Sequence, residues 1–91
     1  MDASERSFSP APGVLAQRVG AELVLVHPET NQIYALNETG ASLWELLAGG
    51  ATRAALVDGL AERFDGDTEE IETEVPRLLV ELELHGLLTG E

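Results

Sequence analysis

Apolar positions change their period once, sharply, inside the segment Ile33 to Leu47, IYALNETGASLWELL. Ile33, Tyr34, Ala35 and Leu36 are apolar, β-prone or small, as a buried or half-buried strand requires. Asn37 then offers a side-chain oxygen to the free N–H groups of the following turn, the N-cap role. Beyond it Leu43, Trp44 and Leu47 recur at helical spacing, and Leu46 widens the stripe. The pattern predicts a strand that becomes a helix across one capping residue, a corner that sets the angle between sheet and helices.

On the N-terminal side of this corner, Val14 to Val19 and Glu22 to His27 read as two strands joined by a hairpin turn at Gly20-Ala21. Pro28-Glu29-Thr30-Asn31 is the next turn, with Asn31 tolerant of left-handed geometry. Gln32 to Leu36 is the third strand. Such short connections predict an antiparallel meander. The second strand, LVLVH, is apolar on both faces, so each side needs a cover. Met1 to Gly13 is polar and aperiodic, which predicts a flexible arm at residues 1–13 ahead of a domain at 14–91. The alternative is that Phe8 docks onto the domain.

Three helices are predicted on the C-terminal side. The first runs from about Glu38 to Ala48 and stops at Gly49-Gly50. Thr52 caps the second, which carries Leu56, Leu60 and Phe64 on one line with Val57 and Ala61 beside them. Gly59 within it costs about 1 kcal/mol relative to alanine, which a close helix crossing would explain. Asp65-Gly66-Asp67 breaks the chain, and Asp67 with Glu70 resembles a capping box. The third helix continues to His85 with Gly86 at its C′ position, and Leu87-Leu88 folds back as a clasp. Pro76 removes one N–H inside this helix and predicts a kink or a frayed first turn. The fold class is α+β, a three-stranded antiparallel sheet followed by three helices.

At about 100° per residue, Ile71, Val75, Leu78, Leu79 and Leu82 share one arc of the third helix, its core face. Val80 and Leu84 lie roughly opposite, alongside Thr73 and Arg77. Glu74 and Glu81 flank the arc on one side, Glu72 and Glu83 on the other. A helix with one buried face does not need this second apolar stripe, which either packs on the arm or a second subunit, is simply exposed leucine, or is the wall of a groove for a partner. Where the third strand is a sheet edge, its unpaired backbone groups are open to an incoming peptide strand.

Composition narrows the function. Ninety-one residues make one domain, and 44% hydrophobic residues fit a folded chain. There is no cysteine, so disulfides and thiolate metal sites are excluded. A formal net charge of −12 argues against binding DNA, RNA or an anionic membrane. Neither a spanning segment nor a signal-peptide pattern is present, which predicts a soluble cytoplasmic protein. No phosphate loop or nucleophile elbow occurs. His27 and His85 sit far apart in sequence, and His85 has a simple role at a helix C-terminus. The expectation is a non-enzyme without metal or cofactor.

Val14, the hairpin, LVLVHPETNQIYALNETGASLWELLAGGAT, LVDGLAERFDGD and LLVELELHGLL resemble the PqqD-like RiPP recognition elements, with YALNETGASLWELL the most specific piece. The resemblance covers nearly all of the chain from Pro12 onward. It implies a winged-helix-like domain that binds the leader of a ribosomally made precursor peptide as an added strand between the third strand and third helix, and presents it to a modifying enzyme. Among subtypes the chain is most similar to the stand-alone members in lasso-peptide biosynthesis, whose partner is a transglutaminase-like leader peptidase. The alternative is a peptide chaperone for pyrroloquinoline quinone synthesis with a radical SAM enzyme, of whose LLAPE-like segment only part is present. The implied groove takes Gln32, Ile33, Tyr34, Ala35 and Leu36 from the strand. From the helix it takes Arg77, Val80 and Leu84, or Val75 and Leu79 if the helix is rotated or kinked. A winged-helix transcription factor and a dimerisation module are the readings from other classes.

Overall fold

The computed structural model describes residues 6–64 and 68–90. Its elements in chain order are β1 (Ser7–Pro10), β2 (Leu15–Val19), β3 (Glu22–Val26), β4 (Ile33–Leu36), α1 (Glu38–Leu47), β5 (Ala51–Thr52), α2 (Arg53–Arg63), α3 (Thr68–Leu84) and β6 (Leu88–Gly90). The predicted meander is the antiparallel sheet β2–β3–β4, and the three helices follow it in the predicted order. Asp65-Gly66-Asp67, and with it the proposed cap at Asp67, lies outside the described residues.

Leu23 and Leu25 of β3 point inward with Leu36 of β4 and are buried. On the outer face Leu15, Val26 and Ile33 stand side by side across the three strands, as their register requires. Leu15 and Ile33 there are 65% and 70% exposed. The apolar second strand is therefore covered fully on one side and only partly on the other.

The corner forms as its residues dictate. Asn37 Oδ1 accepts from the Gly40 N–H at 2.9 Å and starts α1 directly after β4. Gly40, Ala41, Leu43, Trp44 and Leu47 are the face that α1 buries. Thr52 Oγ1 accepts from the Ala55 N–H and caps α2. Leu56 and Leu60 of α2 reach the core, while Phe64 and Val57 pack at its margin and Ala61 is exposed. A Cβ at Gly59 would lie 2.8 Å from Leu46 Cδ1, so glycine here permits the close approach of α2 to α1. On the surface Glu45 joins α1 to both neighbours, 2.7 Å from Arg18 of β2 and 2.8 Å from Arg63 of α2.

Ile71, Val75, Leu78, Leu79 and Leu82 are the buried residues of α3, the arc that the helical spacing predicts. The helix continues through Pro76, and nothing interrupts its assigned span. It ends in a Schellman turn. Leu87 N–H reaches the Leu82 carbonyl at 2.9 Å, Gly86 N–H reaches that of Glu83 at 3.1 Å, and Gly86 takes φ +71°. Among the described residues no helix is long and apolar enough to cross a membrane.

The arm differs from expectation. Ser7–Pro10 is the central strand of a second small sheet, β5–β1–β6, so this part of residues 1–13 is built into the fold. Phe8, facing Gly90 on one side and Ala51 on the other, is buried in the core. Its ring also carries the Arg6 guanidinium at 4.9 Å, and Arg6 pairs with Glu83 of α3 at 2.7 Å. Burying one phenylalanine offsets about 1.5–3 kcal/mol of ordering cost, which a polar arm without it would lack. The clasp Leu87-Leu88 is buried, and Leu88 begins the strand that pairs with β1.

Candidate functional site: the edge of β4 facing α3

β4 pairs with β3 on one side and has no strand on the other among the described residues. The register identifies which of its backbone groups are free. His27 N–H donates to the Gln32 carbonyl at 3.0 Å, so this pair bonds directly across the ladder. Antiparallel pairs alternate between bonded and non-bonded. Tyr34 and Leu36, opposite Leu25 and Leu23, therefore turn their N–H and C=O toward β3. Ile33 and Ala35 turn theirs outward. Both residues are exposed, so two N–H donors and two C=O acceptors stand open at this edge.

Side chains fill the space between this edge and α3 in two parts. Near Asn37 a cleft of about 260 Å³ is walled by Glu22, Ala35 and Leu36 from the sheet side. Glu74, Arg77, Leu78 and Glu81 wall it from α3. Toward the other end a second cleft of about 300 Å³ is lined by Gln32, Ile33, His85 and Leu87. Tyr34 borders both and divides them. Its hydroxyl donates to Glu81 Oε2 at 2.5 Å, and its ring lies tilted against His85 with centroids 5.3 Å apart. A larger cleft of about 820 Å³ lies on the α2 side of α3, lined by residues such as Arg53, Asp58 and Pro76, and does not touch β4.

The electrostatics of the site centre on Arg77. It holds Glu74 in a two-pronged pair, Nε to Oε1 at 3.2 Å and Nη2 to Oε2 at 2.8 Å, and lies 3.5 Å from Glu81. These contacts hold the Glu74 carboxyl below its ordinary range and raise Arg77 above its own. The Tyr34 phenol is raised above 10.0, first because its hydroxyl donates to Glu81, then by burial and by the Glu81 charge, against a lowering by Arg77. The phenol's contribution to stability is thus complete below its unfolded value and lost as pH rises through the folded one. Tyr34 is the only tyrosine, so absorbance titration reads it alone. The midpoint is expected above 10.0 and is expected to fall toward it in Glu81→Gln, which removes the charged acceptor.

Of the residues expected at the groove, Gln32, Ile33, Tyr34, Ala35, Leu36 and Arg77 border these clefts. Val75 and Leu79 are buried in the core at 0% and 3% exposure, so the rotated-helix alternative does not bring them to the surface. Val80 and Leu84 are 57% and 80% exposed, but they line neither cleft. They extend the α3 wall outward from Arg77, one and two turns further along. The α3 residues that border the clefts beside β4 are Glu74, Arg77, Leu78 and Glu81, joined by His85 just past the end of the helix. Helical spacing already places Glu74 and Glu81 on one flank of the core arc. Which flank meets the sheet is decided by tertiary packing.

A family model for Coenzyme PQQ synthesis protein D (PqqD) matches residues 22–88. Two solved structures share the fold. TbiB1 in complex with the TbiA(beta) leader peptide is 25% identical with a TM-score of 0.77, over 88% of this chain and 93% of that one. A lasso peptide synthetase B1 complexed with the leader peptide is 20% identical with a TM-score of 0.76, over 90% and 96%. No curated protein matches the chain.

Proposed function

The chain belongs to the PqqD family, and from that membership and the open edge of β4 we propose that it recognises the leader segment of a ribosomally made precursor peptide without catalysing a reaction itself. The observation that carries this reading is the outward pair Ile33 and Ala35, whose backbone groups face no partner strand among the described residues. A leader segment adds antiparallel to β4 through these groups. Main-chain bonds supply affinity, and the clefts on either side of Tyr34 choose side chains. Similarity to TbiB1, solved in complex with a leader peptide, over 93% of that chain supports leader binding, and the lasso-peptide subtype is the one we favour. On this reading a transglutaminase-like leader peptidase receives the presented precursor in the cytoplasm. The quinone-cofactor subtype, with a radical SAM partner, shares the same groove and is separated from it by the genes adjoining this one.

Val80→Asp and Leu84→Asp test the outer wall. Both side chains are exposed, so each variant is expected to melt near the wild type. Each is expected to weaken binding of the cognate leader at least about tenfold, or about 1.4 kcal/mol, measured by calorimetric titration. Unchanged affinity in both would confine the groove to the two clefts.

A transcription factor of the same topology needs a basic face. Here Arg6, Arg18, Arg63 and Arg77 are each paired with a glutamate, and Arg53 is the remaining cation of the five. Duplex DNA is accordingly expected to show no measurable binding near physiological salt in a fluorescence-anisotropy titration. Sequence-specific binding under those conditions would refute the peptide-carrier reading.

A further inference from the structure

The charges along the groove are unevenly divided. The half near Asn37 is bordered by Glu22, Glu74 and Glu81 against one cation, Arg77. Arg77 is committed to Glu74 and Glu81 already, so it has little to offer a carboxylate from outside. Glu81 also accepts the Tyr34 hydroxyl. The Glu22 carboxylate, at the start of β3, has no hydrogen bond or ion pair among the described residues. Among the described residues, the half near Gln32 has no carboxylate in its lining.

A peptide strand laid along β4 therefore meets surplus negative charge at one end only. There a leader carboxylate would face like charge at close range, while an apolar side chain would leave Glu22 with no counter-charge and less water. Resting on the leader-binding reading, we propose that the leader this chain accepts carries a lysine or arginine that pairs with Glu22 at the Asn37 end of the groove. Because the strands run antiparallel, this end of β4 faces the N-terminal part of the paired leader segment. The cation thus fixes register and direction along an edge whose backbone groups repeat every second residue. Its pair with Glu22 lies near solvent, so it acts more on choice of partner than on total affinity.

Panning a displayed library of random twelve-residue peptides against the full chain tests this. Wild type is expected to enrich lysine or arginine at one fixed position, N-terminal to the apolar positions. Glu22→Gln is expected to lose that enrichment, and Glu22→Lys to replace it with aspartate or glutamate. In a synthetic peptide from the wild-type selection, replacing the cation by glutamine is expected to weaken binding about three- to fivefold at low salt, and by less at high salt. Hydrogen exchange at Ile33 and Ala35 reads where each peptide sits. Peptides that protect these amides without any charge preference, or with one that Glu22→Lys does not reverse, would overturn the cation proposal and leave strand addition standing. If no selected peptide protects these amides, the leader-binding reading fails and the proposal with it.

Discussion

Trp44→Ala is expected to destabilise the fold by about 3–5 kcal/mol, the range for truncating a large buried aromatic. Trp44 is only 8% exposed and belongs to the core face of α1, beside Leu43 and Leu47. That helix starts one residue after β4, so a void beneath it loosens the corner on which the groove is built. A domain of this size has a total stability of about 5–15 kcal/mol, and each kcal/mol moves the midpoint by about 4–8 °C. The thermal midpoint followed by circular dichroism is thus expected to fall by at least about 12 °C. A fall of only a few degrees would mean that α1 buries a different face.

Ala35→Pro is expected to have the largest effect on recognition. The Ala35 N–H points away from β3, so proline there removes a donor from the open edge and leaves the β3–β4 ladder intact. The same change at Tyr34 would break a bond to β3 and confound binding with folding. In the Ala35 variant the ring also projects into the path of an added strand. Leader affinity is expected to drop by at least about tenfold, or about 1.4 kcal/mol, with a melting temperature close to that of the wild type. Binding at wild-type strength would exclude this edge as the docking site.

Local signals made most of the fold legible. Asn37 and Thr52 are caps because their oxygens reach the N–H three residues on. The α3 core arc follows from helical geometry alone, and all five of its residues are buried. The second sheet was not legible. Its pairing joins Phe8 to Gly90 and Ser9 to Thr89, residues about eighty positions apart in strands too short to show a period. Only Phe8, an aromatic in a polar arm, signalled it. The groove was half legible for the same reason. The strand side followed from chain order, since β4 comes last in the meander and ends at the edge. On α3 the exposed stripe of Val80 and Leu84 marks the outward face, whereas the residues that border the clefts beside β4 are Glu74, Arg77, Leu78 and Glu81, with His85 just past the helix end. Nothing in a helix's own period says which flank will meet a sheet. The pairing of Arg77 with Glu74 follows the i, i+3 spacing and ties that arginine to the helix it belongs to.

Amide hydrogen exchange of the protein with and without its cognate leader peptide tests strand addition most directly. In the free protein Tyr34 and Leu36 are expected to exchange slowly, because their N–H groups bond to β3, while Ile33 and Ala35 exchange fast. On saturation with leader, Ile33 and Ala35 are expected to become protected and Tyr34 and Leu36 to stay so. A leader that binds tightly while Ile33 and Ala35 continue to exchange at their free rates would contradict the account.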